Sequence, residues 1–369
     1  MTESPDAHEG EQLSVVVAGG GTAGHIEPAL AVGEVLRDTY GARVVALGTE
    51  RGLETTIVPA RGFELSLIDP VPIPRKKPLQ LLKVPSRLRR AVSQTADALR
   101  DAGADVVFGT GGYVAAPAYL AAKRLGLPFF VLETNALAGM ANKLGVRLGG
   151  IGLNAVPNSG MHGDVVGIPV RPGVGVDPDG AKAERGYKMW NLDPEKKTVL
   201  VTGGSQGAVR INTALAGAIA RITAAGYQVL HAYGRKNDAP ATMDGYTAVP
   251  YIDDMEAAYA VADLVVCRSG AMTVAENSSA ELPAIYIPLP HGNGEQGLNS
   301  AHLVATGAAV RIDDAELTPD VLAEQVTAIL GDSARYDEMR EAIATSGAGI
   351  VAEELARRVV TAAARSAHD

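Results

Sequence analysis

The chain has 369 residues, enough for two domains with a core each, and is 47% hydrophobic and 20% charged, as expected of a globular protein. A net charge of −9 disfavours unspecific binding to polyanions, and aromatics at 4% leave no broad stacking surface, so no nucleic-acid partner is expected. The single cysteine, Cys267, excludes an intramolecular disulfide and a cysteine-based zinc site.

Residues 1–12 are polar and acidic, without the basic and apolar regions of a signal peptide, and read as a disordered tail. No stretch approaches the ~18 uninterrupted apolar residues of a membrane span, so contact with a membrane is expected to be peripheral. Short apolar runs then alternate with amphipathic segments, the α/β pattern of parallel sheets covered by helices. Strands are expected at Leu13–Ala18, Arg43–Leu47, Phe63–Ile68, Asp105–Gly109, Pro128–Leu132 and Ile151–Leu153. The pattern restarts at Thr198–Thr202 and runs through Tyr227–Ala232, Asp263–Cys267, Ala284–Ile287 and Ala308–Ile312. Between the halves, "GIPVRPGVGVDPDG" (167–180) is rich in Gly and Pro and reads as a linker. After Thr318 the sequence is helical, and Val351, Leu355, Val359 and Val360 share a face on a last helix that is a candidate to return to the first domain. The expected division is a first domain over 13–168 joined by helix 350–366, a linker over 169–180 and a second domain over 181–349.

Three strands run into glycine clusters: "VVVAGGGTAGH" (15–25), "VVFGTGGYVAAP" (106–117) and "VLVTGGSQGA" (199–208). Glycines let backbone N–H groups converge, and a helix N-terminus adds partial positive charge, which together favour an anion. The first cluster meets the G-x-G-x-x-G spacing of a dinucleotide site, but such a site needs an acidic residue closing the second strand. The nearest carboxylate there is Glu50, beyond Gly48 and Thr49, so an oxidoreductase using a nicotinamide cofactor remains only an alternative. His25, in the first turn of the following helix, is a candidate general base, since the helix dipole there favours neutral imidazole; a plain backbone hydrogen-bonding role is the competing reading.

In "VCRSGAMTVAENSSAELPAIYIPLPHGNGEQGLNSAHL" (266–303) a strand ends at Cys267 and Ala271, Met272 and Thr273 open a helix whose N–H groups suit a diphosphate. Glu276 on that helix is placed for ribose hydroxyls or, alternatively, as a dipole partner, and Glu295 and Gln296 carry groups suited to sugar hydroxyls. Asp253 and Asp254 form a carboxylate pair, with an N-cap before "MEAAYA" as the better role. Taken in order, "GGGTAGHIEPALAV", "GTGGYVAAPAYLAA", "ETNALAGMANK", "GIPVR", "VTGGSQGA", "YIDDM", "CRSGAMTVAE" and "GNGEQGLN" resemble the MurG-type peptidoglycan glycosyltransferases over about residues 14–365. The resemblance implies a GT-B fold, two Rossmann-like parallel-sheet domains facing across a cleft. It implies inverting transfer of GlcNAc from UDP-GlcNAc to the 4-hydroxyl of MurNAc in undecaprenyl-diphospho-MurNAc-pentapeptide (lipid I), giving lipid II, with no metal and no cofactor.

By motif, the resemblance places Arg171 and Ser205 near the donor diphosphate, Ile252 at the uracil through its backbone, Ala271 to Thr273 at phosphate and Glu276 at ribose. It places Glu295, Gln296 and Asn135 at the donor sugar, with Thr22, Ala23 and Gly24 also on the donor side. Gly20, Gly21, Thr22, Gly24, Gly111, Gly112 and Tyr113 are expected at the acceptor diphosphate. Glu295 stands where the family often has Gln, and Leu132 where a His commonly precedes the Glu-x-Asn run, so that His has no catalytic part here. Glu133 is the reserve base behind His25.

An acceptor anchored in a bilayer implies an anionic inner-membrane surface as a partner, peripheral at the cytoplasmic face. "PIPRKKPLQLLKVPSRLRR" (72–90) supplies a candidate: Arg75, Lys76, Lys77, Lys83 and Arg87 interleaved with Leu79, Leu81 and Leu82. The competing reading is a solvated basic loop leading into a helix capped by Ser86. Other cell-wall synthesis and division proteins are further candidate partners. Alternatives for the whole chain are another GT-B enzyme, a glycolipid synthase or UDP-GlcNAc epimerase, and a non-catalytic nucleotide-sugar-binding protein that docks on membranes.

Overall fold

A computed structural model describes residues 12–70, 84–175, 177–204, 207–290, 294–344 and 351–366. The tail expected over residues 1–12 falls, but for Gln12, outside these. The chain divides into two compact units, one of residues 1–169 with 350–369 and one of 170–349.

The first unit is built on a seven-stranded parallel sheet. Its strands are β1 (Ser14–Gly19), β2 (Arg43–Gly48), β3 (Glu64–Leu67), β4 (Val106–Gly111), β5 (Phe129–Glu133), β6 (Ile151–Asn154) and β7 (Asp164–Val165), in the order β3-β2-β1-β4-β5-β6-β7. Central β1 places Val16 beside Val45 on one side and Val107 on the other, and all its residues are buried. Such continuous Val-rich runs are what a sheet covered on both faces requires. The chain fills one side of β1, then returns to fill the other, so the strand order reverses between β1 and β4. At that point in an open α/β sheet the carboxyl ends of the strands leave a crevice. Helix Val351–Ser366 returns to this unit: Ala352, Leu355, Ala356 and Val359 join the core formed by Val15, Ile26, Leu30 and Leu36, and Arg358 pairs with Asp164 at 2.8 Å.

The second unit repeats the plan with β8 (Thr198–Thr202), β9 (Gln228–Ala232), β10 (Tyr246–Val249), β11 (Leu264–Cys267), β12 (Ala284–Tyr286) and β13 (Ala309–Arg311), ordered β10-β9-β8-β11-β12-β13. Its reversal falls between β8 and β11. Thr318 caps helix Pro319–Leu330 by accepting from Val321 N–H, and Asp254 caps helix Met255–Val261 by accepting from Ala257 N–H at 3.0 Å.

Two strands were not expected. β7 has two residues and β10 is only half-buried, so neither carries an apolar run. Helix Val84–Asp101 begins before Ser86, which therefore lies inside the first turn and is not its cap.

Candidate active site

In the first unit both glycine loops stand at the reversal point. Helix Ala23–Tyr40 starts at Thr22, whose extended backbone (φ −135°, ψ 154°) leads into the first turn carrying His25. Thr22 Oγ1 lies 3.1 Å from His25 Nδ1, a hydrogen bond that orients the ring. Thr110 Oγ1 donates to the His25 carbonyl at 2.6 Å, tying this turn to the end of β4. A Cβ on Gly111 would come within 2.8 Å of His25 Cδ2, so this glycine makes room for the imidazole. Tyr113 is 53% exposed, with its ring against Gly21.

The loop corrects part of the expected diphosphate seat. Gly20 N–H donates to the Gly111 carbonyl at 3.3 Å and Gly21 N–H to Glu54 Oε1 at 3.0 Å, so neither is available to an acceptor phosphate. His25 and Ile26 N–H both return to the Thr22 carbonyl. The donors this turn offers an anion are the N–H groups of Thr22, Ala23 and Gly24, which precede the first intrahelical bonds.

Glu133 is likewise recast. It is 2% exposed, and Oε1 accepts from Asn135 N–H (2.9 Å) and Asn135 Nδ2 (3.3 Å). Oε2 accepts from Gly139 N–H and Asn142 Nδ2, both at 2.9 Å. A carboxylate engaged by four donors and shut from solvent organises the loop after β5 and is poorly placed to take a substrate proton. Tyr119 donates to Asn142 Oδ1 at 3.0 Å; burial first, then the Glu133 charge, pushes its hydroxyl pKa well up, so it stays a donor.

In the second unit a cavity of about 540 Å³ opens at the β8–β11 reversal, lined among others by Gly203, Gly207, Arg268, Thr273, Gln296 and Asp314. Helix Ala271–Ser279 points its N-terminus here from Gly270, which offers no side-chain cap, so its first N–H groups are left for a ligand. Arg268 donates to the Ile287 and Pro288 carbonyls and pairs with Asp314 at 2.5 Å, while its buried Nε has no partner among the described residues. Arg210 reaches the Asp314 carbonyl at 2.9 Å, bringing a second guanidinium to the rim. Glu276 accepts from Tyr259 O–H at 2.9 Å, and burial together with that carboxylate raises the Tyr259 pKa well above its usual value. Gln296 holds Leu289 N–H with its amide oxygen (3.0 Å), leaving the amide N–H₂ as its group for a ligand. Cys267 also borders the cavity, but burial pushes its thiol up to about 12, so it is no nucleophile.

Models of the glycosyltransferase family 28 N-terminal and C-terminal domains match residues 15–148 and 198–355. The chain is 60% identical, over 353 residues covering 96% of it and 98% of the relative, to the UDP-N-acetylglucosamine–N-acetylmuramyl-(pentapeptide) pyrophosphoryl-undecaprenol N-acetylglucosamine transferase of Corynebacterium efficiens. The protein of that name from Rhodococcus erythropolis is 49% identical over 370 residues, 96% of this chain and 95% of the relative. This chain belongs to the MurG-type glycosyltransferases of family 28. Among solved structures, Acinetobacter baumannii MurG is similar with a TM-score of 0.72 and 27% identity, covering 95% of this chain and 100% of that one. The two parallel-sheet units are accordingly those of a GT-B glycosyltransferase.

Other residues expected by motif in this MurG-type chain are placed less directly. Arg171 does not line the cavity; its charge acts on Asp254, whose carboxyl is held below its usual range first by Arg185, then by Ala257 N–H and Arg171. The Ile252 side chain is buried in the second core, so only its backbone is offered to a ligand. Ala271 and Met272 are buried helix-start residues, and Thr273 is the one of the three that borders the cavity. Glu295 opens the short helix Glu295–Asn299 and, unlike Gln296, is not in the cavity wall. Ser205 and the basic patch residues Arg75, Lys76, Lys77, Leu79, Leu81, Leu82 and Lys83 lie outside the described residues; Arg87 is exposed on its helix. Among the described residues no helix is long and apolar enough to cross a membrane, and no group of His, Cys, Asp or Glu is placed to hold a metal. Sequence reasoning missed Arg268, Arg210 and Asp314. Arg268 was legible as the one cation between a strand end and a helix start in "VCRSGA", whereas Asp314 joins it only through β13.

Proposed function

We propose that this chain transfers N-acetylglucosamine from UDP-N-acetylglucosamine to the N-acetylmuramyl-(pentapeptide) pyrophosphoryl-undecaprenol acceptor, lipid I, forming lipid II for peptidoglycan. The observation that carries this is identity of 49–60% over nearly the whole chain to relatives named for that transfer. The second unit is the donor site on this reading. Leaving-group charge on UDP is met by the first N–H groups of helix Ala271–Ser279 and by Arg268, both fixed before substrate arrives, which is how preorganised dipoles lower a barrier. Glu276, held by Tyr259, takes the ribose hydroxyls, and Gln296 reads the sugar.

The first unit is the acceptor site. The acceptor diphosphate sits on the N–H groups of Thr22, Ala23 and Gly24 beside Tyr113, and His25 takes the proton of the attacking hydroxyl, with inversion. Glu133 and Asn142 hold the loop presenting Asn135. The basic, leucine-bearing segment 72–90 docks this unit on an anionic membrane at its cytoplasmic face. Incubation with UDP-N-acetylglucosamine and a lipid I analogue tests the reading: a product lipid carrying N-acetylglucosamine is expected, and binding without transfer overturns it.

A further inference from the structure

The carboxylate of Glu54 lies under the first glycine loop. It opens helix Glu54–Ala60, is 0% exposed, and gives Oε1 to Gly21 N–H at 3.0 Å while Oε2 has no partner among the described residues. Three glycines wall it in, Gly20 on the first glycine loop and Gly48 and Gly52 on the stretch that leads from β2 to Glu54. A Cβ on Gly20 would stand 2.6 Å from Glu54 Oε1, one on Gly48 2.8 Å from its Cβ, and one on Gly52 would collide with Oε2. None of these three adopts a positive φ, so glycine is needed there for room and not for backbone shape. A buried carboxylate with one hydrogen bond is costly. Its contact is with Gly21, whose left-handed φ of 88° sets the turn into Thr22 and His25.

We infer that Glu54 is a positioning residue of the acceptor site, holding the Gly20–Thr22 turn so that the Thr22 and His25 side chains and the helix N–H groups converge on one point. The inference rests on the reading of the first unit as the acceptor site. It also explains the mismatch with a dinucleotide site: the acid after β2 reaches back to the glycine loop itself, where it holds an N–H that a cofactor phosphate would need.

The test combines Glu54→Ala, Glu54→Gln, Gly52→Ala and the double variant Glu54→Ala/Gly52→Ala in steady-state kinetics and hydrogen exchange. Glu54→Ala is expected to lower kcat/KM for the lipid I analogue by about tenfold or more, leaving KM for UDP-N-acetylglucosamine within about twofold, because the hydrogen bond lost belongs to the first unit's glycine loop and touches none of the second-unit residues assigned to the donor. Its melting temperature is expected not to fall, since a half-satisfied buried carboxylate is removed. Glu54→Gln keeps an acceptor for Gly21 N–H and is expected within about threefold of wild type. Gly52→Ala alone, by displacing the carboxylate, is expected to match Glu54→Ala, and the double variant to be no worse than either single one. Faster exchange at residues 19–25 in Glu54→Ala, restored in Glu54→Gln, reads the loop without turnover. Unchanged exchange, additive loss in the double variant, or losses on both substrates tracking a falling melting temperature would overturn the inference. A wild-type chain that makes no product overturns the acceptor reading instead, and the exchange data still decide on Glu54.

Discussion

His231 on β9 offers a test of the buried network beside β8. Its Nε2 lies 3.1 Å from Asn212 Oδ1 and its Nδ1 2.7 Å from Tyr246 Oη. Asn212 gives its N–H₂ to the Tyr233 carbonyl, so its oxygen faces the ring; the imidazole therefore carries its proton on Nε2 and accepts the Tyr246 hydroxyl on Nδ1. A second proton would remove that acceptor in a buried place, and burial lowers the pKa from 6.5 to about 4. The unfolded chain binds this proton near pH 6.5 and the folded one only near 4, so between them the unfolded state binds more protons and stability falls as pH falls. At about pH 5 the loss is roughly 2 kcal/mol, and at about pH 7.5 it is negligible. The single tryptophan, Trp190, is buried in the second unit's core, so its fluorescence follows unfolding of this unit. Urea titrations of wild type and His231→Gln at both pH values isolate this contribution. Wild type is expected to lose about 2 kcal/mol more than the variant between about pH 7.5 and 5, near 1 M in midpoint for an m-value of about 2 kcal/mol/M. Parallel losses within about 0.5 kcal/mol would refute the neutral, buried imidazole.

His25→Ala is expected to lower kcat by roughly 10²–10⁴ with donor KM little changed; a loss below about tenfold, with chemistry limiting turnover, leaves the residue a binding role only. Arg268→Ala is expected to raise KM for UDP-N-acetylglucosamine by about tenfold or more and to lower the melting temperature by stranding Asp314. Adding Asp314→Ala is expected to restore the melting temperature but not KM, and recovery of both would show that Arg268 serves the fold alone. Glu133→Gln puts an N–H₂ where one oxygen now accepts two donors, so scanning calorimetry is expected to show a loss of about 1–3 kcal/mol; an unchanged transition would refute the four-donor description.

The sheets were legible because a strand covered on both faces must be apolar throughout, as in "SVVVAG" and "TVLVT". Edge strands escape that rule: β10 reads "YTAV", half-buried, within a polar stretch. The glycine loops were legible for the same reason that turns are, but sequence could not tell which of their N–H groups were already used. Gly21 and Glu54 are 33 residues apart, and nothing in the spacing links them until β2 is laid beside β1. Arg268 and Asp314, 46 apart, are joined in the same way by β13. Motifs thus marked the glycine-bearing strand ends at which the ligands are proposed to bind, while pairing across the sheet decided which side chains shape those places.

A carboxylate in an anion-binding region works against the ligand by simple Coulomb repulsion, yet Glu54, Glu133 and Asp314 all lie at or just beyond the ends of strands in the units proposed to bind anions. Their partners explain it. Each holds the group that presents the donors: Glu54 the Gly21 amide, Glu133 the loop bearing Asn135, Asp314 the guanidinium of Arg268. A donor left loose would have to be ordered when substrate binds, at the expense of affinity, whereas a donor ordered at folding meets the charge of the transition state without reorganising. The repulsion is limited because each carboxylate is engaged on the side facing its donor group and two of them are all but excluded from solvent. On the proposed reading each unit therefore uses a well-shielded acid to hold the groups assigned to an anion, and the glycines beside Glu54 are there as much for that acid as for a phosphate.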